Sequence, residues 1–219
     1  MKFKKIMIML LAAVMVLSFA VSCKKTDTSK DNSGDETKAE ETKKEYERGE
    51  SSAEGWKSEY LGLKFTPDES MVMATAEEVD KMMELGADAI LGEDNGKKIY
   101  DFSKITVVYE MMAVSATGDN VIVMAEKPLL SNTTLEQYLD GFKKQTGGLI
   151  SDSIEFSEPV DYTLGGQTFK KVEMSYSFSG VNISQIYLVK KQNDRFVGVI
   201  FTEMTEGSFD KIAAMFSEI

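Results

Sequence analysis

Phe169-Lys170-Lys171-Val172-Glu173-Met174-Ser175-Tyr176-Ser177-Phe178, Ile183-Ser184-Gln185-Ile186-Tyr187-Leu188-Val189-Lys190-Lys191 and Phe196-Val197-Gly198-Val199-Ile200-Phe201-Thr202 follow one another with short breaks. Their richness in β-branched and aromatic residues predicts three successive strands. Centring the first turn on Gly180-Val181 sets Phe178 opposite Ile183, Met174 opposite Tyr187 and Val172 opposite Val189, all apolar pairs on one face. The same register sets Lys171 opposite Lys190 and Lys170 opposite Lys191, with Arg195 close by. On an acidic chain that is a candidate basic patch for anionic headgroups, a wall polymer or an acidic partner. A hairpin end relieved by Glu173 is the plainer account, because opposed like charges repel. Phe196 to Thr202 is apolar on both faces, which predicts a strand covered on both sides and helices on each side of the sheet.

Earlier in the chain, Leu61, Leu63 and Phe65 alternate in a strand that stops at Pro67. Ile105 to Val114 and Val121 to Glu126 flank the turn Thr117-Gly118-Asp119-Asn120, and Ile154 to Tyr162 reads as a strand bent at Pro159. Helical periodicity follows Thr75 and Glu78, a capping box, through Val79, Met82, Met83, Gly86 and Ile90. It recurs after Thr133 and Glu136 through Leu135, Tyr138, Leu139 and Phe142, ending at Gly147-Gly148. A third helix is expected from Ser208 to the C-terminus, aligning Phe209, Ile212, Ala213 and Phe216. The predicted class is α+β: an α/β/α sandwich whose mainly antiparallel sheet has six or seven strands, with three helices, in a single domain over residues 55–219.

Composition narrows the chemistry. The 219 residues contain no histidine, which removes the Ser-His-Asp triad, Cys-His pairs and two-His metal sites. Cys23 is the lone cysteine, so no disulfide framework or zinc knuckle forms. The formal charge is −11 and becomes −14 once a leader carrying Lys2, Lys4 and Lys5 is removed, which disfavours nucleic acid as a partner. Gly92-Glu93-Asp94-Asn95-Gly96-Lys97-Lys98 fails as a phosphate loop: Lys98 stands where a hydroxyl belongs, and Glu93 and Asp94 repel phosphate. A surface turn is expected there.

The leader is a basic start, Met1 to Lys5, then an apolar run of 16 residues from Ile6 to Val21, too short to cross a bilayer untilted. Ala20 and Ser22 give the small positions a signal peptidase needs, and Cys23 gives the thiol for a diacylglycerol thioether. Ala20-Val21-Ser22-Cys23 resembles the bacterial lipobox. The resemblance implies cleavage after residue 22 and a stable lipid anchor on the outer face of the membrane. Residues 23–54 then hold the lipidated cysteine and a charged segment without Val, Ile, Leu or Phe, predicted to be a disordered tether.

Tyr60-Leu61-Gly62-Leu63-Lys64-Phe65 with Pro67, Leu135-Glu136-Gln137-Tyr138-Leu139, Gly165-Gly166-Gln167-Thr168-Phe169 and Ser208-Phe209 to Phe216 together resemble the PsbP-like family. That resemblance implies an α/β/α fold without a catalytic motif, in members that bind proteins or assist assemblies, and a Gram-positive source among bacterial lipoproteins.

The function expected is that of a membrane-anchored, extracytoplasmic, non-enzymatic binding or accessory module. Its partners would be the membrane, through Cys23, and an extracytoplasmic protein, with no nucleic acid, cofactor or metal. A small-ligand lipoprotein with a groove between helix and sheet is the first rival. A hydrolase using carboxylate or serine chemistry is the second.

Overall fold

The computed structural model describes residues 45–150, 154–178 and 181–219. Cys23, Ala20, Ser22 and the segment up to residue 44 lie outside the described residues. In chain order the elements are β1 (Glu50–Ser52), β2 (Gly55–Ser58), β3 (Leu63–Phe65), β4 (Met71–Met73), α1 (Ala76–Leu91), α2 (Glu93–Ser103), β5 (Val107–Ser115) and β6 (Asn120–Glu126). There follow α3 (Leu135–Ile150), β7 (Glu155–Phe156), β8 (Val160–Leu164), β9 (Gln167–Phe178), β10 (Val181–Gln192), β11 (Arg195–Glu203), α4 (Ser208–Ala213) and β12 (Phe216–Glu218).

The structure is mixed α and β. An antiparallel sheet of eight strands runs β4-β5-β6-β11-β10-β9-β7, with β8 also on β9, and a four-stranded sheet runs β1-β2-β3-β12. The large sheet carries a core on each face, as the two-sided apolar pattern of β11 requires. On one face Met112, Ile122, Val172, Tyr187 and Ile200 pack under Val79 and Met83 of α1, Tyr100 of α2, and Tyr138 and Phe142 of α3. On the other, Val121, Leu188, Val199 and Phe201 meet Trp56, Leu63 and Phe65 of the small sheet and Phe209 and Ile212 of α4.

That second layer corrects the expected α/β/α sandwich: its cover is chiefly a sheet, with one short helix. The C-terminal helix ends at Ala213, and Phe216 to Glu218 pair with β3 instead. Phe216 thereby packs on Phe65, with ring centroids 4.8 Å apart. A fourth helix, α2, occupies the expected surface turn. Gly92 breaks it from α1 with φ +79, and buried Gly96 lets the two helices close: a Cβ there would lie 2.4 Å from the Asp88 backbone nitrogen. Pro159 separates β7 from β8, as a residue without an N–H should.

The first capping box is present, with the Glu78 N–H donating to Thr75 Oγ1. The second lies one residue later than expected. Thr134 and Gln137 exchange the two bonds, while Thr133 is buried and its hydroxyl donates to the Leu130 carbonyl.

The β9–β10 register differs from the sequence reading by two residues. Val172 opposes Tyr187, Tyr176 opposes Ile183, and Met174 opposes Gln185. A shift of two keeps every side chain on its predicted face, so the apolar pattern is blind to it. Charge decides instead: Lys171 now opposes Leu188 and Lys170 opposes Val189, which removes the like-charged pairs.

Candidate functional site

The end of the segment predicted as a tether is strapped to the large sheet. β4 pairs with β5 only at Ala113 to Ser115, leaving the lower edge of β5 open. A β-bulge sits there. Tyr109 opposes Met124 and Met111 opposes Val123, so Glu110 is the extra residue. Its carboxylate is buried and takes two hydrogen bonds from the strap: Tyr46 Oη donates to Oε1 at 2.6 Å, and the Gly49 N–H donates to Oε2 at 2.7 Å. Arg48 Nη2 donates to the Tyr109 carbonyl at 2.6 Å. The Tyr46 ring meets Tyr60 edge-on, and the Arg195 guanidinium lies 3.8 Å over it. Burial first, then the bond to Glu110, pushes the Tyr46 phenol far above its ordinary range, so it stays a donor.

Sequence reading missed this clamp because Tyr46 and Arg48 sit in a polar, charge-rich stretch that resembles disorder. The signal was Glu110, an acidic residue inside an otherwise apolar strand. Burying a carboxylate requires bonds that satisfy it, and the strap makes them.

Two grooves flank the strap. One, of about 410 Å³, lies between it and the start of α1, with Arg48, Glu110, Met73 and Thr75 in its walls. The other, of about 470 Å³, lies between Glu50–Ser52 and the Lys57 and Lys64 face of the small sheet.

A second buried carboxylate, Glu126, belongs to neither groove. Tyr138 Oη donates to its Oε2 at 2.7 Å and lies 3.0 Å from Tyr187 Oη. Burial pushes the Glu126 carboxyl up to about 7, against the Tyr138 bond that lowers it. Sealed beneath α3, this network positions a helix on a sheet and meets no open space in either groove.

The five cationic residues proposed as a patch do not form one. Lys171 and Lys190 alternate with Val172 and Val189, which face the core beneath α3, so they lie on the opposite face from Lys170 and Lys191. Each has local partners. Lys170 pairs with Asp161 at 2.7 Å and Lys171 with Glu173 at 2.7 Å. Lys191 donates to the Thr133 carbonyl at 2.6 Å, and Arg195 covers Tyr46. Lys190 donates to Gln167 Oε1 over the Phe169 ring, and burial pulls its ammonium down to about 8. Among the described residues no group of three acidic or other ligating side chains is placed to hold a metal.

No family model matches the chain, so the PsbP-like resemblance rests on its sequence words alone. No curated protein matches it either. Among solved structures it is similar to LpqN, involved in cell envelope biogenesis of Mycobacterium tuberculosis, at 14% identity and a TM-score of 0.30. The overlap covers 49% of this chain and 62% of that one, less than two thirds of its length.

Proposed function

We propose that the protein is a lipid-anchored module outside the cytoplasm that presents its folded domain to an envelope component without catalysing a reaction. The observation that carries this reading is the clamp on the strap. In a chain with a lipobox-like leader, the segment from Tyr46 to Gly49 is bonded to Glu110 and Tyr109, so the side facing the anchor joins the domain at a fixed point. Such an arrangement suits display of one surface.

Intact mass and membrane fractionation test the anchor. The native product should begin at a diacylated Cys23 and sediment with membranes, while Cys23→Ala should not; an unmodified thiol or a different start site overturns the reading. Affinity capture from membranes tests the accessory role. One stoichiometric protein recovered only with the lipidated form supports it. The groove of about 410 Å³ beside Arg48 and Glu110 favours the small-ligand rival, and a co-purified small molecule would move the assignment there.

A further inference from the structure

Two turns side by side at one end of the large sheet expose apolar side chains. Ile105, just before β5, is 73% exposed, and Leu129 and Leu130, just after β6, are 64% and 48% exposed. The Lys127 N–H donates to the Thr106 carbonyl at 2.8 Å, which holds the two turns together. Half-exposed Phe102 adjoins Ile105, whose N–H donates to its carbonyl.

The strap starts at this same end. Tyr46 lies against Arg195, and Arg195 is paired with Gln192 in the neighbouring hairpin turn. From there the strap runs along β5, and Ser51 and Ser52 share the walls of the groove of about 410 Å³ with Met73 and Thr75. Val107 pairs with Glu126 at the lower end of β5 and β6, and Val114 with Asn120 at the upper end. The start of the strap and the apolar turns therefore lie at the same end of the large sheet.

We infer that Ile105, Leu129 and Leu130 form a foot that rests in the outer surface of the phospholipid bilayer to which the chain is anchored. This inference rests on lipidation at Cys23. Residues 23 to 46 span at most about 80 Å, so the foot stays within reach of the membrane at high effective concentration. The apolar side chains sit on projecting turns, a shape that a fluid bilayer accommodates without a matching hollow. Lys104 and Lys127 flank them, each paired at the surface with one carboxylate, Asp80 or Asp194, that anionic headgroups can replace.

The test uses the full lipidated protein in vesicles of phosphatidylethanolamine and phosphatidylglycerol with brominated acyl chains. Leu129→Trp and Ile105→Trp place a fluorophore on the foot; Val72→Trp places one at the far end, where Val72 is 70% exposed on β4. Trp56, the only native tryptophan, is buried and common to all three. The foot variants should lose most of their added emission to brominated lipid, and V72W should lose none. Equal quenching at both ends overturns the inference. So does a foot tryptophan shielded from acrylamide but untouched by bromine, which would mean that a protein or a second copy covers it. Flotation separates the two claims: a protein that fails to float refutes the anchor, and one that floats with unquenched L129W refutes the foot alone.

Discussion

Glu126 titrates near neutral pH because burial beneath α3 pushes its carboxyl up to about 7, against the Tyr138 bond that lowers it. Its pKa is raised in the folded state, so its contribution to stability is complete below about 4.5 and lost as pH rises through about 7. Glu126→Gln keeps an acceptor for Tyr138 and removes that loss. The variant should match the parent at pH 4 and exceed it by about 3 kcal/mol at pH 8 in urea unfolding. Glu110 is buried too, and its bonds come from a distant segment. Glu110→Ala should free the strap, exposing Arg48 to trypsin at concentrations that leave the parent intact, and cost about 1–3 kcal/mol. The sequence marks Glu110 as an acid interrupting an apolar run but names no partner for it, and Glu126, at the end of its run, carries no signal. A buried carboxylate is recognised only when its donors are placed, and Tyr46 lies 64 residues from Glu110.

At the level of elements, what local chemistry controls was readable and what depends on chain packing was not. The Thr75 box, the break at Pro159 and the Gly165-Gly166 turn, with φ of +52 and +78, follow from residues next to one another. The β9–β10 register did not follow, because any even shift satisfies the same alternation. Helix α2 was missed because its amino-terminal half is polar and its apolar face forms only against α1. Gly96 is where that pairing is tested. Gly96→Ala drives a methyl into the Asp88 backbone, and a cost of about 1–3 kcal/mol is expected in thermal unfolding despite the better helix propensity of alanine. The β5–β6 turn is pinned to the end of β11 by Asp119, which accepts from the Met204 and Thr205 N–H groups at 2.8 Å each. Burial alone raises this carboxyl, but those bonds and one from Thr117 outweigh it and hold the group well below the usual range. Its contribution is present above the unfolded value near 4 and lost as pH falls toward the folded one. Asp119→Asn should therefore be less stable than the parent at pH 7, with the gap narrowing in strong acid.

For the whole molecule, the mixed α and β class and the two-faced sheet were legible in the sequence; the second layer was not, nor was strand β1 within the expected tether. The small sheet is built from the N-terminal strands and the last three-residue strand, so β12 joins the two ends of the folded chain. The alternation of Leu61, Leu63 and Phe65 announced β3, but no periodicity announces β1, β2 or β12. The strap also determines what a proteolytic cut near the start of the folded chain does. A cut before Glu45 leaves the lower edge of β5 covered, and the released domain should remain monomeric in light scattering. A cut after Gly49 removes Tyr46 and Arg48 and bares unpaired backbone on that edge, and such a fragment should self-associate. The position of a single proteolytic nick thus decides whether the cleaved domain stays dispersed or clumps.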